Sequence, residues 1–152
     1  MRSLKRSMRR TPYAALALAA LTLAAFALPA QAGAAPATVL VVIAKLESRH
    51  QESKRAFSFR QQLLRARVKV GSSRVRCELR SKRFAFCRGS YRLMGGAIKV
   101  GDDIRRGTRN PTLDIVKGTG AFAGAAGTMH VENLNNHTSR NTFRLTGTAP
   151  QP

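Results

Sequence analysis

One segment of this chain holds four glycines within ten residues, and this concentration restricts the possible fold more than any other feature of the sequence. Residues 115–127 read I-V-K-G-T-G-A-F-A-G-A-A-G and follow an apolar run typical of a β-strand. Glycine is the usual residue where the backbone takes a positive φ or closely approaches another element. The motif residues are Gly118, Thr119, Gly120, Phe122, Gly124 and Gly127. The segment therefore predicts an unusual local shape rather than a reaction.

The same glycines come close to a dinucleotide-binding fingerprint. Gly118, Gly120 and Gly124 form G-x-G-x-x-x-G, one residue longer than G-x-G-x-x-G. That fingerprint requires a following helix and then a parallel strand with an acidic residue about twenty positions on. Here the strand-like T-M-H-V-E follows within a few residues, and residue 138 is a threonine. We therefore expect no nucleotide cofactor at this segment.

The first 32 residues have the pattern of a secretory signal peptide. Five Arg and Lys residues precede an apolar run at residues 13–28, and A-Q-A at residues 30–32 is a cleavage sequence. The run is short for a membrane span, although an uncleaved anchor is the alternative. We expect a secreted or extracytoplasmic protein with a flexible leader at residues 33–37 and one domain at residues 38–149.

Basic residues dominate the chain and concentrate in its middle. The formal net charge is +20, and residues 45–92 alone carry 15 basic and three acidic residues. A field of this strength attracts polyanions without sequence specificity. For a secreted protein these would be anionic cell-surface polymers or acidic lipids rather than a specific nucleic acid. The alternative is a solvated surface without a partner.

The two cysteines, Cys77 and Cys87, flank nine residues centred on Lys82. This spacing suits opposite arms of one hairpin, and an oxidising compartment permits a disulfide. Two free thiols are the alternative. Two cysteines without nearby histidines make no metal site, and Asp102 with Asp103 supplies too few ligands for one.

Alternation of apolar and polar residues runs through most of the domain. Between residues 74 and 80, Val75, Cys77 and Leu79 share one face, and basic or acidic residues occupy the other. We count about eight such strands and no convincing helix, with loops at residues 48–54 and 101–111. Such a pattern predicts an antiparallel sandwich or barrel, and barrel closure removes the exposed edge strands.

The glycine segment resembles a known family signature. Residues 113–127, L-D-I-V-K-G-T-G-A-F-A-G-A-A-G, are similar to the G-G-T-G-x-F-x-x-A-x-G signature of the allene oxide cyclase and dirigent barrels. The final T-F-R-L-T-G resembles their closing strand, and C-R-G followed by L-M-G-G-A-I-K-V resembles secreted bacterial members. Lys117 replaces the first glycine of the signature, and Ala126 replaces the bulky or basic residue that often precedes its last glycine.

The resemblance implies an eight-stranded antiparallel β-barrel with an apolar cavity, often assembled as a homotrimer. Allene oxide cyclases convert a fatty-acid epoxide into a cyclopentenone, and dirigent proteins steer the coupling of phenolic intermediates. Neither family needs a metal or an organic cofactor, so we expect none here.

Candidate site residues follow from the expected cavity. A cyclase needs an acidic group inside an apolar barrel. Glu47, at the end of the first strand, and Asp114, which alternates with Leu113 and Ile115, are the candidates, although either could be solvated. Phe59, Tyr91 and Phe143 are the aromatic residues best placed to line a pocket or simply to fill the core.

Three functions remain open. The first is binding of a small hydrophobic or phenolic molecule in the cavity. The second is cofactor-free isomerisation or cyclisation in the same cavity. The third is attachment to polyanions through the basic surface. A solvent-open cavity with one acid inside would favour the second function, and an apolar cavity without an acid would favour the first. A filled interior with arginines aligned on one wall would favour the third.

Overall fold

The computed structural model describes residues 37–147, which form eight β-strands and no helix. The strands are β1 (Thr38–Gln51), β2 (Ala56–Arg65), β3 (Val68–Leu79), β4 (Phe84–Leu93), β5 (Gly96–Arg105), β6 (Thr112–Gly120), β7 (Ala126–Asn135) and β8 (Thr138–Thr146). The predicted signal peptide at residues 1–32, nearly all of the leader and the last residues of the predicted domain lie outside the described residues. In residues 37–147 no helix is long and apolar enough to cross a membrane.

The eight strands form a closed antiparallel barrel in which each strand pairs with its neighbours in the chain. Pairing of β1 with β8 completes the ring. The predicted eight-stranded antiparallel barrel is therefore confirmed. Every second side chain of a strand points into the barrel, and these inward side chains form the core. Examples are Val75 and Cys77 on β3 and Cys87 and Tyr91 on β4, which are all buried.

Two strands extend further than their polar residues suggest. β1 continues to Gln51 and β5 to Arg105, although we predicted loops from residues 48 and 101. At the end of β1 the backbone still pairs, as in Arg49 with Phe59 and Gln51 with Phe57. Backbone hydrogen bonds between strands need no apolar side chains. The polar ends of these strands therefore could not be predicted from the alternation of apolar and polar residues.

Cys77 and Cys87 form the predicted disulfide, with an S–S distance of 2.04 Å. The two residues are direct partners in the register of β3 and β4, and both side chains point inward. The bond therefore ties together the hairpin that turns at residues 80–83.

The two ends of the barrel differ. One end, the mouth, carries the turns at residues 52–55, 80–83, 106–111 and 136–137. The other, the closed end, carries the connections at residues 66–67, 94–95 and 121–125. The start of β1 and the end of β8 also lie at the closed end, where Thr38 pairs with Leu145.

The glycine segment forms part of the closed end. Its turn places Phe122 and Ala125 in the core, and the Ala121 amide donates to the Gly95 carbonyl at 2.8 Å. A Cβ on Gly118 would lie 1.7 Å from the Phe122 carbonyl oxygen, so no side chain fits there. Gly120 has a φ of 62° and packs against the backbone of the β4–β5 turn. The motif therefore shapes the floor of the barrel.

Candidate functional site

A cavity of about 610 Å³ occupies the mouth half of the barrel interior. Its walls are mainly apolar and include Phe57, Phe59, Val75, Leu79, Ile104 and Val131. The Phe57 and Phe59 rings lie 6.4 Å apart with an angle of 19° between their planes. Two backbone hydrogen bonds hold the turn at residues 106–111, which lies at the mouth. The Arg106 amide donates to the Arg83 carbonyl oxygen at 2.8 Å, and the Val131 amide donates to the Pro111 carbonyl oxygen at 2.9 Å. The chain therefore provides a formed pocket that reaches the turns at the mouth.

Tyr91 and Phe143 meet where the open cavity gives way to packed core. Their ring centroids are 5.2 Å apart, with the planes at 78°. Leu63 and Ile98 are fully buried in the same core cluster. Of the three predicted lining aromatics, Phe59 and Tyr91 border the cavity, whereas Phe143 does not. Phe143 is 0% exposed and belongs to the packing behind Tyr91.

A row of polar side chains crosses the inner wall. Gln61 on β2 pairs in register with Ser73 on β3, and Ser73 pairs with Tyr91 on β4. The Ser73 hydroxyl donates to Gln61 Oε1 at 2.9 Å. On β8, the Ser139 hydroxyl donates to Asn141 Oδ1 at 3.2 Å. All five side chains are buried, and all but Ser73 border the cavity.

Three buried donors in these groups have no protein partner. Among residues 37–147, the Gln61 Nε2, Asn141 Nδ2 and Tyr91 hydroxyl groups form no hydrogen bond. The oxygen atoms of both amides are occupied by serine hydroxyls. In the described residues the one fully inaccessible side-chain donor without a hydrogen bond is Arg76 Nε, so these three donors are open to the space of the cavity. The cavity is therefore equipped to donate hydrogen bonds to an acceptor placed inside it.

Burial raises the pKa of the Tyr91 hydroxyl well above its ordinary value. The folded protein therefore keeps this proton at pH values where the unfolded chain has lost it. The neutral hydroxyl contributes its full stability below about pH 10, the unfolded pKa, and the contribution declines as pH rises towards the folded pKa.

We accordingly expect Tyr91 to make the free energy of unfolding fall by about 1.4 kcal/mol per pH unit above roughly pH 10. Tyr91→Phe should remove this pH dependence, so that the free energy of unfolding changes with pH only through the other titrating groups. Urea denaturation of both proteins between about pH 9 and pH 11 measures the difference. Parallel curves for the two proteins would show that the hydroxyl is not buried.

The cavity mouth is cationic. Arg49, Arg105, Arg106 and His137 border it, and in the described residues none of the three arginines is ion-paired. A β-bulge between Leu46 and Ser48 explains the position of Arg49. The bulge shifts the alternation of β1 by one residue, so that Arg49 faces inward opposite Phe59. The Arg49 guanidinium carbon lies 5.2 Å from the centroid of the Phe57 ring.

Neither predicted acidic residue lies in the cavity. Glu47 is exposed at the bulge of β1, and Asp114 is exposed because it faces outward between the buried Leu113 and Ile115. The residues that border the cavity include no carboxylate. Across residues 37–147, no group of three or more His, Cys, Asp or Glu side chains could hold a metal ion. The cavity therefore combines apolar walls, neutral donors and peripheral positive charge.

Five polar residues of the site and its inner wall were not predicted from the sequence: Gln61, Ser73, Ser139, Asn141 and Arg49. Gln61 could have been found, because it continues the inward alternation of Phe57 and Phe59. Asn141 likewise shares a face with Phe143. Arg49 carries no such signal, since its inward direction depends on the bulge.

Known proteins share this fold but little sequence. No protein-family model matches the chain, and no curated protein matches it. A pyocyanin demethylase superimposes with a TM-score of 0.63 at 18% identity, over 72% of this chain and all of the other. A Diels–Alderase from Streptomyces koyangensis gives 0.59 at 8% identity, over 76% and 72% of the two chains.

A pterocarpan synthase dirigent protein gives a TM-score of 0.55 at 12% identity, over 75% of this chain and 99% of the other. These likenesses show that the chain shares its barrel fold with these proteins. They carry the fold alone at such identities, and the resemblance to allene oxide cyclases stays a prediction.

Proposed function

We propose that the protein binds a small hydrophobic or phenolic molecule in its barrel cavity and directs hydrogen bonds at an acceptor on that molecule. The observation that carries the proposal is the set of three buried donors without protein partners: Gln61 Nε2, Asn141 Nδ2 and the Tyr91 hydroxyl. A phenolic oxygen, a carbonyl or a carboxylate would satisfy them. The apolar walls would take up the rest of the ligand.

The volume of the cavity and the charge at its mouth restrict the class of ligand further. A volume of about 610 Å³ lies within the range of roughly 300–1,000 Å³ typical of small-molecule pockets. The arginines at the mouth attract anions during approach. An amphipathic ligand with a phenolate or carboxylate would match both the walls and the mouth. The structural neighbours support the idea, since they are named for reactions of small organic molecules.

Binding is favoured over acid–base cyclisation. A cyclase of the expected kind uses an acidic group to stabilise developing positive charge. The carboxyls of Glu47 and Asp114 lie outside the cavity, and burial keeps the Tyr91 hydroxyl protonated. The groups that face the cavity can orient a ligand and exclude water from it.

The test uses three probes of nearly equal size: naphthalene, 1-naphthol and 1-naphthoate. We expect 1-naphthol and 1-naphthoate to bind more tightly than naphthalene, because only they offer an oxygen to the buried donors. Gln61→Met and Tyr91→Phe should each weaken 1-naphthol binding by about 2- to 10-fold, which corresponds to one hydrogen bond. Naphthalene binding should be unchanged. Calorimetry or probe fluorescence measures all three affinities.

A blocking variant tests the location of the site. Ala85 borders the cavity, so Ala85→Phe should reduce the affinity of every probe by at least about 10-fold. Val116 is 63% exposed, and Val116→Phe adds an exposed aromatic ring as the matched control. Equal binding by both variants, with both folded, would exclude the cavity as the binding site. Failure of all probes to bind the unmodified protein would contradict the proposal itself.

A further inference from the structure

The outer wall of β2–β6 carries a concentration of positive charge. Strand pairing places its outward side chains in rows that run across neighbouring strands. In the central row, Arg60 pairs with Arg74, Arg74 with Ser90, Ser90 with Lys99, and Lys99 with Lys117. The flanking rows add further basic residues. We call the whole set the basic belt: Arg60, Arg74, Arg76, Arg88, Arg92, Lys99 and Lys117.

Several like charges in the belt face each other directly. Arg60 is opposite Arg74, and Lys99 is opposite Lys117. Arg76 is likewise opposite Arg88. Adjacent strands lie about 4.8 Å apart, and like charges in such positions destabilise a sheet. The three pairs lower the stability of the sheet, and a bound polyanion would neutralise them.

Few acidic side chains compensate the belt. Within its three rows of paired positions the one carboxylate is Asp114, at the far end. Glu52 reaches Arg76 from the first hairpin, with an Nε–Oε2 distance of 2.9 Å but without hydrogen-bond geometry. In residues 37–147 the other six belt residues form no ion pair. Every belt side chain except Arg76 is exposed, and Arg76 is partly exposed.

We infer that the basic belt binds a linear anionic polysaccharide. This site is separate from the cavity and does not rest on ligand binding there. The central row spans five of the eight strands, which is half of the circumference. Side chains half a circumference apart point in opposite directions, so a flat lipid surface cannot contact both ends of the row. A flexible polymer can follow it.

The neutral residues of the belt favour a sugar polymer over a nucleic acid. Single-stranded nucleic acids are bound by stacking on aromatic residues, and the three rows contain none. The ring of Phe86, which lies beside Gly101 of one row, is covered by the Arg80 guanidinium at 4.5 Å from its centroid. Ser90 separates Arg74 from Lys99, and Gln62 and Ser72 lie in the next row beside Arg92. Hydroxyl and amide groups between cations suit a polymer in which sugar hydroxyls separate acidic groups. Export by the proposed signal peptide would bring the belt to such polymers.

The test compares two variants of the full-length protein with equal charge. The belt variant is R60Q/R74Q/K99Q/K117Q. The control variant, K45Q/R65Q/K69Q/R144Q, removes four exposed bases outside the belt that have no ion-pair partner in the described residues. Heparin is the polysaccharide probe, and its affinity is measured across a series of salt concentrations. Oligo(dT) and vesicles of phosphatidylglycerol and phosphatidylcholine are the competing probes.

We expect the belt variant to bind heparin about 30-fold or more weakly at roughly 0.15 M salt. Its slope of log affinity against log salt should decrease by about 3, as expected for four lost contacts. The control variant should change the slope by less than about 1. The melting temperature of the belt variant should equal or exceed that of the unmodified protein, because like-charge pairs are removed.

Other outcomes would overturn the inference. An equal loss in both variants would mean that net charge alone attracts heparin. A stronger dependence of oligo(dT) or vesicle binding on the belt would assign it to a nucleic acid or a membrane. If the belt variant does not fold, R74Q/K99Q provides the same comparison with two charges, against K45Q/R144Q. The circular dichroism spectrum and the melting temperature of each variant show whether the barrel is intact.

Discussion

Replacing Gly118 with alanine is expected to lower the free energy of unfolding by about 4 kcal/mol or more, among the largest effects of a single substitution. The new Cβ would lie 1.7 Å from the carbonyl oxygen of Phe122 and 2.7 Å from its carbonyl carbon. Both atoms belong to backbone, so a rotamer change cannot relieve the contact. The turn at residues 121–125 would have to move and withdraw Phe122 from the core. Thermal and urea unfolding measure the loss.

Gly101→Ala is the matched control for this substitution. A Cβ on Gly101 would meet its nearest atom, in the Phe86 ring, at 3.6 Å, which is ordinary contact. We expect its effect on the free energy of unfolding to be under about 1 kcal/mol. Similar melting temperatures for Gly118→Ala and the unmodified protein would show that the glycine turn does not pack against β6 as described.

Replacing Phe143 with alanine is expected to lower the free energy of unfolding by about 3–5 kcal/mol. Phe143 is 0% exposed and packs edge-on against Tyr91, so its removal leaves a hole in the packed half of the barrel. For a domain of this size the melting temperature should fall by roughly 10–20 °C. Differential scanning calorimetry measures both quantities.

Phe84→Ala is the control, because Phe84 is 44% exposed and lies outside the core cluster. Its loss of stability should stay below about 1.5 kcal/mol. The comparison also separates the two roles considered for Phe143. A side chain that borders an open cavity loses few contacts when truncated, so a small effect at Phe143 would place it on the cavity wall.

The alternation of apolar and polar residues was sufficient to predict the barrel, because in most strands it runs from end to end without a shift. On β3 and β4 the inward residues follow every second position, which also brings Cys77 opposite Cys87. The glycine segment predicted an unusual backbone conformation. The structure gives the reason, because no Cβ fits at Gly118 and Gly120 has a positive φ. Local residue patterns are therefore informative wherever a strand is regular and one of its faces is apolar.

Features that depend on pairing between strands could not be predicted. The bulge beside Glu47 reverses the phase of β1 and turns Arg49 into the mouth. Asp114 alternates with apolar residues on either side of the sheet, and one strand does not say which face is inside. The belt exists only in the register that places Arg60 beside Arg74 and Lys99 beside Lys117. Each of these depends on residues far apart in the chain.

The pairing of Thr38 with Leu145 has a practical consequence for handling the protein. Both ends of the described barrel leave at the end opposite the cavity entrance. A resin, a fluorescent label or a fusion partner joined directly before residue 37 or directly after residue 147 would therefore stand behind the barrel and leave the entrance facing bulk solution. Immobilised and free protein should accordingly show the same affinity for molecules that enter the cavity.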